Sequence, residues 1–363
     1  MFFADSHIHM TDDDPKKSLK MLDDMAALGV THTTIQSLPY RGIHYNLKAL
    51  YWKTHYGRMT VRAFGGLRET GIESDVEPLL QVQTMAKLGC DGVKMMQMHP
   101  LHRRERGFGV DDPFYDPMFS FMEENNLPVC MHVAEPEDRW FNKAMSEEAI
   151  ARGWYYGPES GCVSKEQLTE ETLAMAKKHP KLKISLAHFF FLSDFPDEAE
   201  RVMRNYPNIY FDLTPGTEMF PNFSKRIDFW HDFFVKYNDR ILFGTDSNNF
   251  KTCNGDLNRF VKIFLTHDQT EYTEKHYLPV TVRGLGLTDA QAQTILWENY
   301  ERFVGTAPRY TDEKACKREA ERLLDLLPGE GKNTETDKWM RENLTTDEDY
   351  EPARAWLKNY LQE

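Results

Sequence analysis

Phe2-Phe3-Ala4-Asp5-Ser6-His7-Ile8-His9 opens the chain as a short apolar run that ends in two histidines one residue apart. On an extended strand, residues i and i+2 face the same side. Both imidazoles can therefore converge on one metal ion while Ile8 packs on the opposite face. One such pair among thirteen histidines carries little weight alone. Its place at the tip of a first strand makes a specific demand, that other strand ends supply the missing ligands.

Outward from this run, strand-like and helical stretches alternate. Residues 15–28 carry apolar side chains at helical spacing, with Gly29 placed to end the helix. The β-branched run 31–38 reads as strand two, 46–56 as a helix and 61–67 as strand three. Residues 75–88 form the next predicted helix, closed by Gly89, and 92–96 strand four. The spacing then predicts a helix over 117–125, strand five over 128–133, a helix over 165–178 and strand six over 182–188. A helix over 197–205, strand seven over 209–213, a helix over 224–237 and strand eight over 240–244 complete the series. Eight strands alternating with helices predict an α/β fold, a (β/α)8 TIM barrel.

The barrel is expected over residues 1–306, with a long Trp-, Tyr- and Gly-rich insertion running to about residue 164. Its Trp154-Tyr155-Tyr156-Gly157 reads equally as a lid or an oligomer contact. Residues 307–363 are highly charged and helix-favouring, interrupted by Gly329-Glu330-Gly331-Lys332. They are expected to form a helical C-terminal extension. Its apolar side chains (Leu323, Leu324, Leu326, Leu327, Trp339, Trp356, Leu357, Tyr360, Leu361) would face the barrel or a second subunit of a homo-oligomer.

The chain has 363 residues, 44 basic against 57 acidic side chains and a net charge of −13. Non-specific nucleic-acid binding needs a basic surface that releases counterions, so nucleic acid is not an expected partner. No stretch reaches the roughly 20 apolar residues that span a bilayer, and the opening residues lack the parts of a secretory leader. Cys90, Cys130, Cys162, Cys253 and Cys316 are scattered and odd in number, without CxxC spacing. They read as reduced thiols of a cytoplasmic protein.

In a barrel of this type the active site lies at the carboxyl ends of the strands. Strand one ends in His7 and His9, strand five in His132, strand six in His188 and strand eight in Asp246, while strand four carries Lys94. Any one of these has an ordinary structural reading: His132 as a hydrogen-bonded core residue, Asp246 as a helix cap, Lys94 as an ion-pair partner. Together they suit Zn²⁺ or a similar divalent ion.

Asp5-Ser6-His7-Ile8-His9, Asp91-Gly92-Val93-Lys94, Val129-Cys130-Met131-His132, Ile184-Ser185-Leu186-Ala187-His188 and Phe243-Gly244-Thr245-Asp246-Ser247 resemble the amidohydrolase superfamily. With His179-Pro180-Lys181-Leu182 and Glu298-Asn299-Tyr300-Glu301-Arg302-Phe303-Val304-Gly305, they resemble its amidohydrolase-related branch, which includes aminocarboxymuconate-semialdehyde decarboxylase. The resemblance covers residues 1–306. It implies one metal, Zn²⁺ or else Mn²⁺, held by His7, His9, His132 and Asp246, with His188 as a catalytic or substrate-binding residue beside it. In two-metal members a strand-four lysine is carbamylated and bridges the ions, which would engage Lys94 and His188. The Gly-Val-Lys-Met-Met setting of Lys94 favours one metal.

The implied chemistry is hydrolysis of an amide, ester, lactone or carbon–carbon bond in a small substrate by metal-activated water. Asp246 would take and return the proton, and His188 would polarise the substrate. Non-oxidative decarboxylation and an inactive binding barrel are the alternatives. The loops after the strands hold Tyr40, Arg41, Arg68, His99, His102, Arg103, Arg104, Arg106, Glu135, Arg139, Trp140, Asn248, Asn249 and Phe250. Arginine suits bidentate carboxylate recognition. A carboxylate-bearing substrate is therefore expected, with Arg68, Glu135 and Asn248 as binding candidates; Arg103, Arg104 and Arg106 equally suit a solvated loop.

Overall fold

The structure is a computed structural model that describes residues 1–69, 72–141, 147, 150, 153–216, 218–249, 255–273, 280–327 and 350–363. The predicted strands are present in order: β1 (Phe3–His9), β2 (Val30–Gln36), β3 (Thr60–Gly66), β4 (Gly92–Met98), β5 (Val129–Val133), β6 (Ile184–Leu186), β7 (Ile209–Asp212) and β8 (Ile241–Leu242). A short β9 (Ser247–Asn248) follows Asp246 and pairs with the end of β1, Ile8 opposite Ser247 and His9 opposite Asn248. The registered pairs of this sheet are parallel.

Two compact units emerge, and each is described by itself. The first comprises Met1–Ser6, Met95–Thr245 and Asn254–Phe303; the second comprises His7–Lys94, Asp246–Cys253 and Val304–Glu363. Strand order in the first is β8-β7-β6-β5-β4, and in the second β4-β3-β2-β1-β9. In the first unit the start of β1 lies beside the chain leaving β8. Ser6 donates its amide (3.0 Å) and hydroxyl (2.8 Å) to the Phe243 carbonyl, and Asp5 accepts from the amide (3.1 Å) and hydroxyl (2.6 Å) of Thr245.

In the second unit, helix α1 (Pro15–Ala27) starts where Asp14 accepts from the Lys16 amide and Pro15 fixes the first turn. It stops before Gly29, at φ +87°. Helix α2 (Tyr45–His55) joins β2 to β3, and helix α3 (Pro78–Leu88) joins β3 to β4. Gly89 ends α3 at φ +107°, a left-handed conformation that favours glycine. A Cβ there would also lie 2.4 Å from the Tyr310 carbonyl oxygen. Ile8, Leu22, Met25, Ile35, Leu47, Phe64, Val82 and Val93 are buried in this unit's core.

The C-terminal extension is helical over Glu313–Leu326 and Tyr350–Gln362. These two helices pack together, and the first lies on α3. Leu323, Leu327, Leu357 and Tyr360 are buried, whereas Leu326 is exposed; Trp339 lies outside the described residues. Both helices belong to the second unit, each with one buried face and one exposed face.

Three expectations need correction. Strand six was expected to reach His188, but β6 ends at Leu186, and His188, Phe189, Phe190 and Phe191 all have positive φ, between 50° and 56°. Each left-handed non-glycine residue costs roughly 1–2 kcal/mol. Offsetting this, Asp212 accepts from the His188 amide at 3.0 Å, and Phe189 is buried among Phe211, Phe223 and Trp230. Second, the helix predicted over 224–237 is two, Met219–Lys225 and Ile227–Lys236, broken at Arg226 (φ −135°, ψ 55°). Third, residues 100–106 are a helix, not a solvated loop. Within it Arg103 makes a bidentate bond to Glu171 (2.7 and 2.8 Å).

Candidate functional site

In the second unit, β1 delivers His7 and His9 on one side, as its pleat dictates. Ile8 between them is fully buried. The His7 and His9 rings meet edge to face, 5.1 Å between centroids. Asp246 precedes β9; its amide donates to the His7 carbonyl at 2.8 Å, and its φ is +54°. That strained conformation is held by this amide bond and by the β1–β9 pairing that follows it, and such strain is common at functional sites.

The Asp246 Oδ1 atom lies 3.1 Å from His9 Nε2 and 3.9 Å from His7 Nε2. The opposite ring nitrogen of His9, Nδ1, is 2.7 Å from the Gln36 carbonyl oxygen at the end of β2. A carbonyl can only accept, so Nδ1 carries the proton and Nε2 presents its lone pair toward Asp246. Carbonyl-held imidazoles of this kind are the usual form of histidine metal ligands.

These donors fit a divalent ion. Ligand bonds of about 2.0–2.1 Å in a tetrahedral shell put neighbouring donor atoms about 3.3 Å apart, and the separations to Asp246 bracket that value. The three donor atoms all lie within 4.8 Å of one another. Lys94, buried on β4, places its Nζ 3.1 Å from His7 Nε2. It addresses the same lone pair that a metal would take.

The expected ligand His132 and the expected catalytic residue His188 belong to the first unit. There His132 Nε2 is 3.1 Å from Glu135 Oε1, and His99 Nε2 is 3.5 Å from the same oxygen. His99 Nδ1 accepts from the Leu101 amide at 3.3 Å, so its Nε2 bears the proton and faces the carboxylate as a donor. Burial holds the His132 imidazole down to about 4, against the opposing pull of Glu135. Burial alone would raise Glu135, yet hydrogen bonds and charge from His132 and His99 keep its carboxyl well below the usual range. Burial likewise takes His102 down to about 3. Although the donors of His99, His132 and Glu135 are close enough to surround an ion, the His99 tautomer makes this a hydrogen-bonded cluster around an ionised Glu135.

The His188 ring lies 4.9 Å from that of His132. Its Nδ1 is 3.2 Å from the Thr214 carbonyl, which again puts the lone pair on Nε2. Asp212, fully buried, accepts from the amides of both His188 and Thr214 (3.0 and 3.1 Å). It fixes the turn that presents the imidazole.

The substrate candidates divide. Glu135 is engaged by the two histidines. Asn248 Oδ1 accepts from the Thr11 hydroxyl at 2.5 Å. Arg68 is 9% exposed, paired with Glu73 and bonded to the Ile43 carbonyl at 2.8 Å. Its guanidinium is committed within the fold. Phe250 lies outside the described residues.

Sequence reasoning missed Gln36, whose role is carried by a backbone carbonyl, and Asp212 and Thr214, which act through backbone contacts that no side-chain motif signals. Of the Trp-rich insertion, Tyr156 is buried against Trp140, with its amide on the Arg139 carbonyl (2.8 Å). Among the described residues no helix is long and apolar enough to cross a membrane, and Cys90, Cys130, Cys162 and Cys316 are not in disulfides.

Solved structures share this architecture. An uncharacterised TIM-barrel protein from Bordetella bronchiseptica aligns at 15% identity and a TM-score of 0.52, covering 84% of this chain and 98% of that one. The 4-oxalomesaconate hydratase of Rhodopseudomonas palustris aligns at 14% identity and 0.51, covering 89% and 99%. At such identities the likeness is one of fold, the TIM barrel. No curated protein matches the sequence. The family described as Amidohydrolase matches residues 70–306, a span that includes Lys94, His132, His188 and Asp246. Over most of its length, therefore, the chain belongs to the amidohydrolase family of enzymes, in the amidohydrolase-related branch.

Proposed function

We propose that the protein is a metal-dependent hydrolase whose metal is held by His7, His9 and Asp246. The observation that carries this reading is the convergence of three donors of oriented type. His9 is fixed in the Nε2 lone-pair form by the Gln36 carbonyl, with Asp246 Oδ1 3.1 Å from that nitrogen and 3.9 Å from His7 Nε2. Zn²⁺ suits two imidazoles and a carboxylate, with Mn²⁺ as the alternative. When bound, such an ion supplies Lewis acidity and lowers the pKa of water toward ~7.

The chain's own groups do the rest. Asp246 is held by strand pairing with its carboxylate 42% exposed, so it can take a proton from incoming water and return it to the leaving group. In the first unit, His188 has Nδ1 held at the Thr214 carbonyl, so its Nε2 carries the lone pair. A small molecule is the substrate class, since hydrolysis here needs one polarised bond within reach of a compact ligand set.

Metal analysis of the purified wild type and of His9→Ala and Asp246→Asn tests the ligand assignment. About one equivalent of divalent metal, lost in His9→Ala, is expected. Wild-type protein free of metal after growth with Zn²⁺ or Mn²⁺ would overturn it. Asp246→Asn that keeps both metal and full turnover would remove the proton-transfer role. A panel of amides, esters and lactones should show water uptake; release of CO2 from carboxylic acids instead would make the protein a decarboxylase of the same branch.

A further inference from the structure

We propose that Arg41, with the Tyr40 hydroxyl beside it, is an anion subsite that receives a carboxylate of the substrate next to the His7–His9–Asp246 group; this rests on the reading of that group as the catalytic centre. The short turn Pro39–Arg41 begins three residues after Gln36, whose carbonyl orients His9 at the end of β2. It is a rigid turn. Pro39 fixes its first φ, the Arg41 amide donates to the Leu38 carbonyl at 2.9 Å, and the Gly42 amide donates to the Pro39 carbonyl at 3.2 Å. A Cβ on Gly42 would lie 2.9 Å from the rings of His44 and Tyr45, so the chain after Arg41 is packed tightly against α2.

Arg41 itself is exposed, whereas residues 33–39 and 42–50 are buried. An arginine on a rigid turn, with buried residues on both sides of the Tyr40–Arg41 pair, is presented outward by construction. Its partners decide the matter. In the same unit Lys48 pairs with Asp13, Lys53 and Arg62 with Asp91, Arg58 with Asp23 and Arg68 with Glu73. Among the described residues no carboxylate lies within ion-pair distance of Arg41. Its Nε makes one long bond, 3.4 Å, to the Tyr40 hydroxyl.

The charge of Asp246 nevertheless acts on this guanidinium, which places it within electrostatic reach of the ligand group without being neutralised by it. A planar fork with most donors uncommitted matches a carboxylate bidentately. Arg68, the arginine that sequence reasoning favoured for this role, has already spent its donors on Glu73 and Ile43. Arg41, by contrast, makes only the one long bond to Tyr40 among the described residues and keeps its other donors open to a substrate.

The test uses the full metal-loaded chain and two probe pairs, succinate against succinamate and glutarate against glutaramate. Members of each pair differ by one carboxylate turned to amide. Calorimetric titration should show the wild type preferring a dicarboxylate by about tenfold or more, the range of one charge-assisted pair. Arg41→Gln should abolish that preference while leaving metal content and monoamide binding unchanged, and Arg41→Lys should restore part of it. An unchanged preference in Arg41→Gln, or no dicarboxylate preference in the wild type, would overturn the subsite. If Arg41→Gln loses metal instead, Arg41 serves the ligand group and the subsite is again overturned. A wild type without metal whose dicarboxylate preference still depends on Arg41 would sink the catalytic reading and leave the anion subsite standing.

Discussion

Replacing Asp91 should destabilise the second unit more than any surface change, and the structure sets the size of the effect. The Asp91 side chain is wholly buried, as are its partners Lys53 (4% exposed) and Arg62 (1%). Lys53 Nζ lies 2.8 Å from Oδ2 and Arg62 Nη1 3.7 Å from Oδ1. The carboxylate also accepts from the Ala63 amide on β3 (3.0 Å) and from the Arg309 amide at the entry to the C-terminal extension (2.7 Å). One side chain thus joins β3, α2, the start of β4 and the extension. Asp91→Ala leaves two buried cations without a counter-charge, about 3–5 kcal/mol for a broken buried pair, and two amides without an acceptor, about 1 kcal/mol each. Lys53 keeps the Gly89 carbonyl at 2.7 Å and Arg62 the Gly305 carbonyl at 2.5 Å, which moderates the total to roughly 4–5 kcal/mol. Urea denaturation measures it, and hydrogen exchange across Glu313–Leu326 should report earlier opening there. Asp91→Ala combined with Lys53→Met should recover at least about 1 kcal/mol through the removed charge. A single-variant loss under about 1 kcal/mol, or no recovery in the double variant, would refute the reasoning.

Gly89→Ala forces a side chain into φ +107° and to 2.4 Å from the Tyr310 carbonyl oxygen; a loss of roughly 2–3 kcal/mol in thermal or urea unfolding is expected. Burial alone would raise Asp13, but the His44 hydrogen bond and the charges of His44 and Lys48 hold it down from 3.8 to about 2. A depressed carboxylate stabilises above its unfolded value and loses that contribution as pH falls through its folded value. The stability gap between wild type and Asp13→Asn should therefore be full, at about 2 kcal/mol, above pH ~4 and should close toward pH ~2, as followed by acid titration of unfolding.

The strand count and most helix positions were legible because apolar period and glycine punctuation report local structure directly. Lys165–Lys178 is where the pattern puts it, capped by Ser164, and Gly29 and Gly89 stop the helices they follow. The misplacements have tertiary causes. Strand six reads on to His188 because the apolar run 182–188 continues past Leu186, yet Asp212 and an aromatic core hold His188 and the phenylalanines after it left-handed. Arg226 lies inside an amphipathic pattern that continues across it, so periodicity could not show the break.

The same division governs the site. A two-residue period on β1 suffices to put His7 and His9 on one face, and Asp246 follows from the strand count. What orients them is invisible to a motif, because the Gln36 contribution is a carbonyl that any residue would offer at that register. Arginines show the limit most clearly. Arg41, Arg68 and Arg103 all follow strands and look alike in sequence; whether each reads substrate depends on whether a carboxylate elsewhere in the fold has already taken it. Glu73 takes Arg68, and Glu171, 68 positions away, takes Arg103. Arg41 has no such partner among the described residues, and the subsite proposed for it rests on pairing that is not made, which a sequence cannot display.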